Sequence, residues 1–296
     1  MGEQSDAVLL CGRYFNLREL LEIQVTVSMF PKLSRYELSQ TICEHLDWFT
    51  PSGQYKTASC IQLLEKMEGQ GLITLPPKRK PRGLNRKKIT FGPCTAPAPL
   101  VAGSLRDHEP LAVEPVNQRA DSMLWNEYVH RYHILGYKIP FGAHQRYFIV
   151  SSSGQRLGCL LFAAAAWALA PRDEWIGWNE VDRSLRVNLI VNNSRFLIFP
   201  WVYVKNLASK SLSLAARRIR SDWQKRYAYS PVLLETFVDP TKYKGTCYRA
   251  ANWLFLGQTA GRGRMDRYKK RLLVPKHIYA YPLVDDFRAR LKGEKS

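Results

Sequence analysis

The sequence predicts an α+β protein in two parts, a small helical unit followed by a larger mixed α/β unit. Three observations carry this. The chain has 296 residues and 46% apolar content, enough to bury a sizeable core. Before residue 75 the apolar positions repeat at helical spacing, and from about residue 120 strand-like and helix-like segments alternate.

In the first part, Leu17 to Val25 is amphipathic, and Ser34-Arg35-Tyr36-Glu37 is a Ser-x-x-Glu capping box that starts a helix carrying Leu38, Ile42 and Leu46. A Pro/Gly-bearing loop, Trp48 to Tyr55, precedes a further helix from Thr57, with Ile61, Leu64 and Met67 on one face and Gly69 and Gly71 stopping it. Leu72 to Leu75 reads as a short strand before Pro76-Pro77. Helix, helix, turn, helix, strand is a winged-helix-like order, so residues 1–77 are expected to form a DNA-binding domain. Lys56, Thr57, Ser59 and Gln62 would then face the nucleic acid. A helical domain for protein contacts is the alternative.

Lys78, Arg79, Lys80, Arg82, Arg86, Lys87 and Lys88 follow as a proline-broken basic run suited to tracking phosphates. With the prolines after residue 93 they define a basic, Pro-rich linker, 78–118. The larger part, 119–296, begins with a strand over 145–151 and an apolar run over 156–169. A tryptophan-rich crossover then leads to a strand over 194–199. A long helix from about Leu207 to Arg226 carries Leu212, Ala215, Ala216, Ile219 and Trp223 on one side. A strand over 232–238, a short helix across 247–253 and a strand over 254–258 complete it.

The charge narrows the partner. Forty-four Lys and Arg against 25 Asp and Glu leave +19, distributed as −3 over residues 1–75, +7 over 76–92 and +15 over 93–296. A segregated cationic field attracts polyanions through counterion release, so DNA is the expected partner. Arg262, Arg264, Lys269 and Lys270, interleaved with glycines and Tyr268, suit single-stranded or distorted DNA. No apolar stretch reaches the roughly 20 residues of a membrane-spanning helix, and the start is polar, so a cytoplasmic protein is expected. The six cysteines are scattered, with no Cys-x-x-Cys half-site for zinc, and no phosphate-binding Gly-x4-Gly-Lys-Ser/Thr loop occurs.

Several long segments carry a resemblance: His133-Ile134-Leu135-Gly136-Tyr137, Arg172 to Trp178, Asn192-Asn193-Ser194-Arg195-Phe196-Leu197-Ile198, Glu235-Thr236-Phe237-Val238-Asp239 and Gly245 to Trp253. In these the chain resembles the Druantia anti-phage protein DruA family, and its first part resembles that family's N-terminal module, associated also with certain transposases. The resemblance implies a role in phage defence or mobile DNA, with other defence or transposition proteins as partners. The larger part is also similar in architecture to the GNAT-type acetyltransferase superfamily, which implies an acetyltransferase-like mixed α/β domain. There a glycine-rich turn at a helix start presents amides to coenzyme A. Asn206 stands at the corresponding place and argues against acetyl-coenzyme A, while a DNA phosphate would still fit near Ser209 and Lys210.

For chemistry, Tyr248 stands where that superfamily often keeps a general-acid tyrosine. A phenol can act as an acid or, deprotonated, as a nucleophile on a phosphodiester, with Arg195 and Arg249 as oxyanion partners. Glu235 and Asp239, four apart, offer a second route through Mg²⁺-assisted hydrolysis, with Asp173, Glu174, Glu180 and Asp182 as another acidic group. His133, with His130 and His144, offers a base. No metal ligand set is assigned and the cofactor stays open. The expectation is a DNA-binding, strand-processing protein; the alternatives are an acyl-coenzyme A-dependent transferase and a non-catalytic DNA sensor.

Overall fold

The computed structural model describes residues 7–78, 89–261 and 274–294. It opens on a hairpin, β1 (Val8–Leu10) and β2 (Arg13–Phe15), followed by α1 (Leu17–Met29), α2 (Arg35–His45) and α3 (Thr57–Gly69). Reciprocal capping boxes, Asn16 with Glu19 and Ser34 with Glu37, start α1 and α2 by satisfying free amides at the helix ends. Where a wing strand was expected, 72–75 forms none. Side chains hold that backbone instead, Gln24 donating to Leu72 O and Leu75 N–H donating to Glu68. Among the described residues no second strand lies alongside to form a ladder with it.

The stretch 93–118 departs from the expected linker. It contributes β3 (Val101–Gly103) and β4 (Ala112–Pro115), and Val101, Leu111, Val113 and Val116 are buried. Of the prolines in this stretch only Pro115 lies in a strand, at the end of the edge strand β4, where a missing N–H is tolerated.

The remaining elements are α4 (Arg119–Tyr132), β5 (His144–Val150), β6 (Arg156–Ala164), α5 (Ala170–Ile176), α6 (Glu180–Arg186), β7 (Ile190–Ile198), β8 (Val202–Val204), α7 (Leu207–Tyr227), β9 (Leu233–Val238), α8 (Thr246–Ala250), β10 (Leu254–Gln258), β11 (His277–Pro282) and α9 (Phe287–Lys292). They build a mixed sheet in the order β10-β11-β9-β7-β6-β5-β4, with β3 pairing β8 separately. Within the seven-stranded sheet neighbours are antiparallel except β7 and β9, whose parallel pairing requires the crossover that α7 supplies. The predicted α7 stripe Leu212, Ala215, Ala216, Ile219 and Trp223 is buried, while Arg217 and Lys225 face solvent.

One apolar core runs from Phe15, Ile23 and Ile42 in the helical part to Tyr147, Phe162 and Trp223 in the larger part. A smaller one, around Ile176, Ile190, Leu233 and Phe287, joins α5 and α9 to the sheet. The two parts also meet through Phe30 on Tyr229 (ring centroids 4.7 Å), Gly142 N–H to Gln40 (3.1 Å) and Tyr227 Oη to Glu37 (3.5 Å). Among the described residues no helix is long and apolar enough to cross a membrane.

Candidate functional site

The parallel pairing of β7 with β9 covers only Ile190–Asn192 against Leu233–Glu235, after which no further pairs form. Just beyond that point β7 carries a bulge: Leu161 pairs Arg195 and Phe162 pairs Asn193, so Ser194 is the extra residue. The bulge sends Asn193 and Phe196 to one face of the sheet and Asn192 and Arg195 to the other.

On the first face Tyr248 lies against the end of the β7–β9 ladder. It is buried, stacked on Tyr279 (5.8 Å) and edge-on to Trp253 (5.1 Å). Its hydroxyl donates to Asn193 Oδ1 (2.8 Å) and accepts from Thr236 Oγ1 (3.3 Å), and burial pushes its pKa up. The helix bearing it starts at Gly245, φ 68°, where an added Cβ would stand 2.5 Å from Tyr279 Oη. Only glycine fits there, which explains the Gly245-Thr246-Cys247-Tyr248 order. Tyr248 is therefore a protonated phenol with both hydrogen-bonding roles filled. Arg195 is turned away from it, donating to Gly136 O (3.0 Å) and Ser194 O (2.6 Å).

The carboxylates do not converge. Glu235 is fully buried, bonded to Arg172 (2.8 Å) and to Ala166 N–H (2.8 Å). Arg172 is fully buried too and binds Asp173 (2.7 Å). Asp239 lies past the end of β9 and closes a turn onto Thr241, whose hydroxyl and amide hold its carboxyl below the usual range. Asp182 caps α6 and pairs with Arg186. The expected Glu235–Asp239 pair is thus one structural ion pair and one turn, because Asp239 leaves the strand whose periodicity would have aligned them. Among the described residues no group of three or more His, Cys, Asp or Glu could hold a metal ion.

The histidines are apart as well. His133 ends α4, accepts from Leu135 N–H (3.1 Å) and is pushed down to about 4, first by burial and then by Arg195. His130 stacks on Phe91, and His144 bonds the Gly142 carbonyl. Of the cationic calls, Lys56 precedes α3 as its N-cap, Lys78 pairs with Glu65 (3.0 Å), and Lys210 pairs with Glu109 (3.0 Å). Ser209 donates to Asn206 O within the first turn of α7. Asn206 itself is left-handed, φ 65°, the conformation for which a glycine would be the default and asparagine the next choice. Arg79, Lys80, Arg82, Arg86, Lys87, Lys88, Arg262, Arg264, Lys269 and Lys270 lie outside the described residues.

Residue reasoning missed Asn193, Thr236 and Arg172, which complete the bonding of Tyr248 and Glu235. A signal was present: two adjacent asparagines inside a strand are compositionally unusual, since strands are depleted in Asn.

Fold and site together define a mixed α/β protein whose central sheet changes from antiparallel to parallel pairing at a tyrosine-filled junction. The sequence profile for the Druantia protein DruA matches residues 79–271, and the chain belongs to that family. No curated protein matches it. Among solved structures, the spermidine/spermine N-acetyltransferase SpeG from Vibrio cholerae in complex with manganese ions is 10% identical with a TM-score of 0.39, covering 61% of this chain and 96% of that one. The Vibrio cholerae spermidine N-acetyltransferase with CoA and spermine is 11% identical, TM-score 0.37, covering 57% and 94%. A nourseothricin acetyltransferase is 9% identical, TM-score 0.28, covering 48% and 66%. Overlaps this loose carry no argument about chemistry.

Proposed function

We propose that the chain is a DNA-binding subunit of an anti-phage defence system, one that holds DNA through its cationic surface and leaves strand chemistry to partner proteins. The observation that carries this reading is the segregated +19 charge. A second supports it: Tyr248, Glu235 and Asp239 each spend their polar atoms on internal bonds. Arg217, Lys242, Lys244 and Lys276 form no ion pair among the described residues and are available to phosphates. In the helical part α3 leaves Gln62 and Lys66 exposed, and we take this winged-helix-like unit as the reading head.

The test is fluorescence anisotropy with single- and double-stranded oligonucleotides across a salt series. The logarithm of the affinity should fall linearly with the logarithm of salt, and replacing Lys242 or Lys244 by Ala should reduce the slope by about 1 each. Absence of binding in dilute buffer would sink the reading. Incubation with Mg²⁺ should leave the DNA backbone intact; scission would restore the strand-processing alternative.

One observation favours a second reading, acyl transfer: the left-handed turn at Asn206 opens α7 in the conformation that lets free amides meet an anion. Saturable acetyl-coenzyme A binding in calorimetry would promote it.

A further inference from the structure

On the Tyr248 face of the sheet the cover ends between β11 and β10, the edge strand. Tyr279 on β11 is buried against Tyr248, whereas Phe255, its register partner on β10, is 53% exposed. Directly opposed residues share a face, so the Phe255 ring continues the Tyr279 surface out into solvent. It packs on Tyr279 (ring centroids 5.6 Å) and stands at a steep angle to His277 (5.2 Å). Those contacts steady the ring and leave about half of the residue open.

Cations gather beside it. The loop after β9 carries Lys242-Tyr243-Lys244 and reaches Tyr279 at Gly245, where an added Cβ would stand 2.5 Å from the tyrosine Oη. Arg249 donates to Lys244 O (3.2 Å), and Lys276 directly precedes His277. Lys242, Lys244, Arg249 and Lys276 form no ion pair among the described residues. Asp239 is the carboxylate near Lys242 and Lys276, and the Thr241 hydroxyl and amide both donate to it. Tyr243, between its two lysines, is itself 55% exposed.

A bare ring on an edge strand fits either another protein or a nucleic-acid base, and the charge around it decides. A protein would have to bring several carboxylates to meet four cations, whereas a DNA strand carries a phosphate at every nucleotide. We propose that Phe255 and Tyr243 form a stacking platform for the unpaired bases of single-stranded DNA, with Lys242, Lys244, Arg249 and Lys276 holding the phosphates beside them. Every base has a face that an aromatic ring can stack on, so the platform selects unpaired strands without reading their sequence. In a duplex those faces are already covered by neighbouring bases. The inference rests on the DNA-binding reading and deepens it by naming the form of DNA, since lysines alone hold either form and the rings hold one.

The experiment measures anisotropy of a short labelled single strand of mixed sequence, and of the same sequence as a duplex, with the full chain. Wild type is compared with Phe255→Leu, Phe255→Trp and Tyr243→Ala. Phe255→Leu keeps an apolar contact with Tyr279 while removing the ring, so its unfolding midpoint should stay near that of wild type. Phe255→Leu and Tyr243→Ala should each weaken single-strand binding by about fivefold or more and change duplex affinity by less than about twofold. Phe255→Trp should keep the single-strand affinity. Single-strand affinity unchanged in Phe255→Leu or in Tyr243→Ala overturns the platform and leaves the surface-charge reading standing. An equal loss for both forms of DNA also overturns it, by tracing the effect to the fold. Self-association lost in Phe255→Leu by sedimentation, with single-strand binding unchanged, assigns the ring to a second copy of this chain and overturns it too. If wild type binds neither form, the surface-charge reading falls and the platform with it.

Discussion

The Arg172 guanidinium and the Glu235 carboxylate lie 2.8 Å apart with neither side chain reached by solvent. They stand 63 residues apart in sequence and tie the crossover after β6 to β9. Removing one member of such a pair strands the other charge in a low-dielectric interior. Glu235→Ala is therefore expected to destabilise the fold by about 3–5 kcal/mol in urea unfolding. A loss under about 1 kcal/mol would mean that Asp173 alone compensates Arg172 and would free Glu235 for another role.

Tyr248→Phe removes the donor on which Asn193 Oδ1 depends and keeps the ring stacked on Tyr279. The expected cost is about 1–2 kcal/mol of stability, with oligonucleotide affinity unchanged. An affinity drop at unchanged stability would place the phenol in contact with DNA.

Gly158 in β6 has no room for a side chain, since a Cβ would stand 2.3 Å from Leu197 O on β7. Gly158→Ala must push the two strands apart and should cost at least about 2 kcal/mol by thermal or urea unfolding. A near-neutral result would show that β6 and β7 can slide to make space.

His45 stacks on Trp167 at 4.1 Å, and burial pushes it down to about 3, against about 6.5 for an unfolded histidine. Above pH 6.5 it is neutral in both states. As pH falls below that, the unfolded chain takes up the proton first, so stability declines progressively toward pH 3. His133 acts in the same direction between about 6.5 and 4. The urea midpoint should drop between pH 7.5 and pH 5, by the equivalent of about 1–2 kcal/mol for His45, and His45→Phe should flatten the decline. Equal pH dependence of wild type and variant would show that His45 is solvated in the fold.

Features set by neighbours along the chain could be read directly. The Ser34–Glu37 capping box, the start of α3 at Thr57 and the buried stripe of α7 all depend on contacts within a few residues. The family motifs, too, were readable as strings. The capping box at Asn16 and the β1–β2 hairpin went unread, since their residues are too few to make a periodicity.

The starts of α2, α3 and α7, the cationic excess and the family could be read from the sequence alone, because composition, capping and 3.6-residue spacing are local or global properties that need no partner. Tertiary structure alone decided which polar groups meet. The proline-bearing stretch became the edge strand β4 because β5 was there to pair with it. Glu235 became an ion-pair member when the crossover brought Arg172 to it, and one extra residue, Ser194, sent Arg195 to the Gly136 carbonyl and Asn193 to Tyr248. A charge or hydroxyl takes its role from the partner that replaces water, and that partner can lie tens of residues away.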